Sequence, residues 1–188
     1  MIYQLTVETL RHGQVQAFLA AAAAQKKEAP AGRWLSEFGT LNQVYTLRRI
    51  ETEAASLGDI GRLAYGEGQA DAVLRREVRL LSAVKEFQAS DLPVVELREY
   101  TMATGQLPRF LELMTAALPV RERFSNALGV WAPLSGEPDR VIHMWPYRDF
   151  AHRAQVRNDV AQEPAWQKYL ATIPPLLREM SSVILRAV

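Results

Sequence analysis

The residues best equipped for chemistry lie in the second half of the chain. His143, Arg98 and Tyr100 form a candidate catalytic set, and Glu96, Trp131, Trp145 and Arg153 a candidate ligand-binding set. An imidazole titrating near pH 6.5 suits His143 to general acid–base work. The guanidinium fork of Arg98 matches a carboxylate or an enolate, and the Tyr100 hydroxyl can donate to a developing oxyanion. Arg98 and Tyr100 are two residues apart, as are His143 and Trp145. In strands that spacing puts each pair on one face. The same alternation assigns Val95, Leu97, Ile142 and Met144 to a face against helices. It leaves Glu96, Arg98, Tyr100, Val141, His143 and Trp145, together with Trp131, for the interior of a barrel. Aromatic walls with a few polar groups are typical of small-molecule sites.

A packing reading competes. Glu96 and Arg98 could pair with each other or across strands, His143 could be a satisfied core histidine, and Trp131 and Trp145 could simply fill space. Arg153 and Arg157, at i and i+4, share a helical face that either reaches an anion or pairs with Asp149 or Asp159. Trp166 and Tyr169 read as core.

Other chemistries are poorly served. The chain has no cysteine, which removes disulfides, thiolate catalysis, Cys-ligated zinc and iron–sulfur clusters. His12, His143 and His152 fall in a turn, a strand and a helix without metal-ligand spacing. No metal or cofactor is expected, although haem held through His143 stays open. Gly66-Glu67-Gly68 lacks the third glycine and preceding strand of a dinucleotide fingerprint, and there is no Walker loop or nucleophile elbow. Residues 1–91 carry eleven basic and eleven acidic side chains, and residues 92–188 eleven and ten. Without a basic face, nucleic acid is not an expected partner. The longest apolar run, Phe18 to Ala24, falls well short of the roughly 20 residues that span a bilayer. The N-terminus opens as a strand rather than a secretory signal, so a cytoplasmic location is the default.

The elements that must position these residues come in two copies. Ile2–Thr9 aligns with Val94–Thr101 at an offset of 92, which also pairs Gly13-Gln14 with Gly105-Gln106 and Phe18-Leu19 with Phe110-Leu111. At an offset of 97, Trp34 meets Trp131, Gly39 meets Gly136 and Val44 meets Val141. The difference is an insertion near the first helix, where surface connections tolerate length change.

Each copy reads as strand, helix, strand, strand, helix, strand, the ferredoxin-like βαββαβ unit. Predicted strands are 2–10, 32–38, 42–49 and 77–83, then 94–102, 128–134, 140–145 and 182–188. The second helix of each copy is expected at 56–75 and 149–170. Such a sheet has helices on one face only, and a second sheet must cover the other. The fold class is therefore α+β, with two tandem ferredoxin-like modules packed sheet-to-sheet as an intrachain α+β barrel. The modules are residues 1–91 and 92–188.

The second module resembles the NIPSNAP family. The resemblance rests on Glu96-Leu97-Arg98-Glu99-Tyr100-Thr101 with Gly105, on Gly129-Val130-Trp131, and on Val141-Ile142-His143-Met144-Trp145-Pro146-Tyr147. It continues through Arg153, Arg157, Trp166 and Tyr169. The first module is similar but degenerate: Glu37–Val44 keeps the hairpin pattern, while Thr6, Glu8, Thr46 and Arg48 replace Arg98, Tyr100, His143 and Trp145.

The resemblance implies the dimeric α+β barrel fold, whose relatives include small monooxygenases, isomerases and ring-modifying enzymes. It brings no agreed catalytic residues. The functional expectation is one working site in the second module. That site would bind a small hydrophobic or acidic organic ligand, as a binding protein or a cofactor-independent enzyme, with the first module as scaffold and lid. The alternative is a non-catalytic interaction or scaffold protein, which the family's proposed association with trafficking and organelle proteins suggests. Homo-oligomers could form through strand edges or helix faces, but barrel closure does not require them.

Overall fold

A computed structural model describes residues 1–24, 29–50 and 70–188. The first half contains β1 (Ile2–Leu10), α1 (Val15–Ala24), β2 (Gly32–Phe38), β3 (Gln43–Ile50) and β4 (Val73–Lys85). The second contains β5 (Val94–Met102), α2 (Leu107–Glu122), β6 (Gly129–Pro133), β7 (Arg140–Tyr147), α3 (Phe150–Ala161), α4 (Pro164–Thr172) and β8 (Leu177–Ala187). Gly13 and Gly105 turn the chain after β1 and β5 with φ of 77° and 76°, a left-handed conformation that costs glycine little.

Most of the expected helix over 56–75 lies outside the described residues, but Val73–Arg75 belong to β4. The expected helix over 149–170 is two helices. The backbone of Glu163 is extended ahead of Pro164 (φ −75°, ψ 118°), as the proline ring demands of its predecessor. The Asp149 carboxylate caps α3 by accepting from the His152 N–H at 2.7 Å. The last strand begins at Leu177, five residues earlier than expected.

All eight strands pair antiparallel in the order β1-β3-β2-β8-β5-β7-β6-β4, and β4 returns to β1 to close a barrel. Each half contributes four neighbouring strands, and β2–β8 and β4–β6 are the seams. Among the described residues every strand is paired on both sides, so none presents the free edge expected as a route to self-association. Across β1 and β3, Thr6 faces Thr46, and across β5 and β7, Arg98 faces His143. Trp34 faces Tyr45, and Trp131 faces Ile142.

The barrel interior is a solid core. Leu5, Leu47, Trp34, Leu81, Leu97, Met144, Trp131 and Leu185, one from each strand, belong to a single buried cluster. Tyr3 packs edge-on against Trp131 at 5.9 Å between ring centroids. A β-carbon on Gly129 would meet the Trp131 ring at 2.3 Å, and one on Gly32 the Trp34 ring at 2.1 Å. The indoles fold back over their own strands, and only glycine leaves room.

This core reverses the expected faces. Val95, Leu97, Ile142 and Met144 point into the barrel, while Tyr100, Val141 and Trp145 pack with Phe110, Met114, Leu118, Val156 and Tyr169 of the helices. Alternation correctly divided the residues into two sets but could not say which set faced inward. Both faces of this sheet are buried, one by the other sheet and one by helices. The apolar pairs went to the inner space, which has no access to solvent, and the amphipathic residues went under the helices.

Candidate functional site

Between the outer face of the second half's strands and helices α2, α3 and α4 lies a pocket of about 470 Å³. Its floor is Arg98 and Tyr100 from β5, His143, Trp145 and Tyr147 from β7, and Met180 from β8. Its walls include Met114, Leu118 and Arg121 from α2, Arg157 and Val160 from α3, and Trp166, Tyr169 and Leu170 from α4. Of the expected site residues, the structure brings Arg98, Tyr100, His143 and Trp145 together. Trp131 is not among them, because it sits on the opposite face inside the barrel. Glu96 and Arg153 are close by but committed to each other. Trp166 and Tyr169, expected as core, do belong to the core under the helices and also line the pocket.

The imidazole of His143 is the centre of the floor. It is 4% exposed, with the Tyr100 ring edge-on at 4.9 Å and the Trp145 ring edge-on at 5.9 Å. The Trp145 indole N–H donates to His143 Nδ1 at 2.6 Å. An indole nitrogen can only donate, so Nδ1 carries a lone pair and the ring proton of neutral His143 sits on Nε2. The flipped ring would set a C–H against the indole donor and lose the bond. Burial, together with the neighbouring Arg98 and Arg121 guanidinium groups, holds the His143 pKa well below the usual histidine range. Neutral at physiological pH, with its free nitrogen already protonated, His143 is a hydrogen-bond donor. The lone pair on which a general base depends is the one engaged by Trp145.

Haem ligation fits poorly too. Iron on Nε2 would force the ring proton onto Nδ1, directly against the indole N–H.

Cations dominate the rest of the site. The Arg98 guanidinium carbon stands 5.1 Å from the Tyr100 ring centroid. Arg121 is 5% exposed, lies over Trp145 at 4.2 Å and donates from Nη2 to the Tyr147 hydroxyl at 2.9 Å. Neither arginine is in an ion pair among the described residues. The nearby carboxylate is Glu96, which is 1% exposed and held by Arg153 through two hydrogen bonds of 3.1 and 2.7 Å. Arg157 approaches the same carboxylate at 3.8 Å. Arg153 and Arg157 therefore pair with Glu96 and not with Asp149 or Asp159. Burial raises the Glu96 pKa, but the Arg153 hydrogen bonds and the surrounding Arg98, Arg153 and Arg157 charges outweigh it and leave it lowered. Burial pushes up the Tyr100, Tyr147 and Tyr169 hydroxyls.

Two polar atoms of the floor are unpartnered. His143 Nε2 and Arg98 Nε are buried without a hydrogen bond, on residues directly opposite each other across β5 and β7. Unpaired buried donors are costly and rare in native proteins. Both lie beneath the water-accessible surface, so an acceptor reaches them only if a side chain above them shifts.

Arg121 and Tyr147 were not singled out from the sequence. Arg121 continues the α2 stripe of Phe110, Met114 and Leu118, and a charge on an apolar stripe was the available signal. Tyr147 extends the alternation of His143 and Trp145 by one step. In the first half the equivalent face carries Thr6 opposite Thr46, and Glu8 bound by Arg76 at 2.7 Å.

The architecture is shared with known proteins. The chain is similar to a putative monooxygenase from Lactobacillus acidophilus NCFM with a TM-score of 0.68, over 99% of this chain and 93% of that one. Identity there is 12%, so the likeness is one of fold, an eight-stranded α+β barrel. The NIPSNAP family model matches residues 95–188, the half that forms the pocket, and the chain belongs to the NIPSNAP family. It is 24% identical to the Dictyostelium discoideum Protein NipSnap homolog over 96% of this chain and 85% of that protein. Against human Protein NipSnap homolog 3B it is 33% identical over 44% of this chain, and it spans only 34% of the human protein.

Proposed function

We propose that the second half binds a small organic molecule with an apolar body and an electron-rich oxygen in the pocket between β5, β7, β8 and helices α2–α4. The observation that carries this reading is the pair of unpartnered buried donors, His143 Nε2 and Arg98 Nε, on the floor of an aromatic pocket. Acceptor oxygens that reach them after a covering side chain moves aside would remove these deficits, and Met114, Leu118, Trp166 and Leu170 would cover the apolar body. The site offers donors and cations but no group poised to accept a proton near neutral pH. Binding is therefore the activity proposed, and any reaction would rely on chemistry inherent in the ligand.

We also read the chain as two tandem modules, residues 1–91 and 92–188, with the first degenerate and serving as scaffold. Supporting this are the matched registers, Thr6–Thr46 with Arg98–His143 and Trp34–Tyr45 with Trp131–Ile142. They preserve the sequence offsets of 92 and 97, and the Gly-x-Trp fold-back recurs in both halves.

A thermal-shift screen of organic acids, phenols, quinones and haem tests the ligand proposal. A ligand at a hundred times its dissociation constant stabilises the fold by about 2.7 kcal/mol. The shift should be lost in Arg98→Met and in Leu170→Trp, which blocks the pocket mouth from an exposed position, and retained in Thr46→Ala. A shift indifferent to the first two would put the ligand elsewhere. No shift across the panel would favour the interaction-protein reading.

A further inference from the structure

We propose that Trp145 locks His143 as an Nε2–H donor and thereby makes the pocket selective for the ionised form of a hydrophobic carboxylic acid. This rests on the binding reading above and adds the ligand's charge class and the residue that sets it.

The geometry constrains the chemistry in three ways. Trp145 can only donate, so Nδ1 of His143 must accept and Nε2 must carry the proton. The two unpartnered atoms of the floor, Nε2 of His143 and Nε of Arg98, are consequently both donors. A carboxylate presents two oxygens and only accepts. An amide or an alcohol brings hydrogens of its own to a site already supplied with them, and an amine would meet arginines.

The titratable and charged groups around His143 point the same way. The Tyr100 ring from β5 lies against it and the guanidinium groups of Arg98 (β5) and Arg121 (α2) act on it, and Tyr147 from β7, Arg157 from α3 and Tyr169 from α4 line the same pocket. Glu96 is the nearby carboxylate and is neutralised by Arg153. A bound anion would offset part of the positive charge of Arg98 and Arg121, which have no ion pair among the described residues. The apolar stretch from Met114 and Leu118 to Trp166 and Leu170 takes the chain or ring that follows the head group.

Trp145 is thus a positioning residue whose effect is read through His143. Its removal frees Nδ1, so that the ring can hold its proton there and turn a lone pair toward the ligand. The same change makes the doubly protonated ring easier to reach. Binding then depends on the protonation of His143, whereas with Trp145 present it depends only on the ionisation of the ligand.

The test uses the full chain with decanoate, decanamide and decanol, followed by calorimetry from about pH 6 to about pH 8.5. Wild type should bind decanoate with affinity constant to within about twofold across that range, and at least about tenfold more tightly than the amide or the alcohol. Trp145→Phe should bind decanoate more weakly at high pH and recover affinity as the pH falls. A uniform loss with a flat profile would mean that Trp145 only packs, and would overturn the proposal, as would unchanged binding. Equal affinity for the three probes would overturn the charge selectivity while leaving a ligand pocket in place. If no probe binds wild type, the broader binding reading fails first.

The lock itself is examined without ligand, by nitrogen NMR of histidine-labelled protein with His143→Phe for assignment. His143 should show a protonated Nε2 and an unprotonated Nδ1 across the range. Rapid averaging between the two tautomers would sink the proposal whatever the binding data show.

Discussion

His143 is a buried base that the fold keeps neutral, and this has a consequence for stability. In the unfolded chain the ring takes up a proton below about pH 6.5, while the folded chain resists doing so until well below that value. Where the unfolded state binds more protons, stability falls with falling pH. His143 should therefore cost up to about 1.4 kcal/mol per pH unit as the pH drops from 6.5 toward its folded pKa. His143→Phe should lack this slope, so the wild-type and variant denaturation curves will converge or cross on acidification. Parallel curves between about pH 6.5 and about pH 5 would show that the ring is not held neutral.

Trp131 makes the opposite point. Fully buried between the two halves, it should cost about 3–5 kcal/mol when cut to alanine. At temperatures where the variant stays folded, ligand affinity should be unaffected, because the indole is on the wrong face to touch the pocket. The residue types needed for a site were legible in the sequence, but the face they occupied was not. Two-sided burial erases the polar-out signal that normally fixes a strand's orientation. The role of His143 was also hidden, because its tautomer depends on a contact with Trp145 rather than on identity or spacing.

At the scale of elements, α3 is fastened to the sheet by one buried carboxylate. Glu96 on β5 receives two hydrogen bonds from Arg153, whose own side chain is 25% exposed. Arg153→Met strands Glu96 without its main partner, and a loss of about 3 kcal/mol is expected, near the low end for a broken buried pair because Arg157 and water can partly compensate. The double variant Glu96→Gln, Arg153→Met should recover part of that loss, and a thermodynamic cycle measures the coupling. If the double variant were no more stable than Arg153→Met, the pair would not be what holds α3.

Strand positions in the second half were readable from alternation and glycine placement, and the repeat carried that reading into the first. The helix break at Glu163–Pro164 was missed although Pro164 marked it: apolar periodicity continued across the break, so the proline's effect on its predecessor was the signal to weigh. The second half's last strand was placed too late because Leu177 to Ser181 are polar and exposed for much of their length, with none of the hydrophobic alternation that marks a strand.

For the whole molecule, the barrel is closed by two seams between halves that otherwise each own a complete four-stranded sheet. Residues 92–188 expressed alone would leave Val95, Leu97, Trp131, Ile142, Met144 and Leu185 uncovered. That apolar face should be satisfied by a second copy, giving a homodimer by light scattering. A stable monomer of this fragment would mean that the inner face is not the main source of cohesion.

The segment after β4 crosses one end of the barrel. Glu86 accepts from the Tyr3 hydroxyl at 2.6 Å, the Phe87 ring stacks edge-on with Trp34 at 6.2 Å, and the backbone N–H of Ala187 donates to Pro93 at 3.1 Å. Met1 sits at the near side of that crossing, its carbonyl accepting from Ala83 and its amine 3.6 Å from Glu86. Met1 and Ala187 thus flank the two ends of one short bridge. A peptide of about the same length joining Val188 to Met1 would permit the bridge to be cut between Gln88 and Leu92. The ring of strands would be unchanged by where the backbone is opened. A circular permutant made this way should keep the barrel, and with it the pocket.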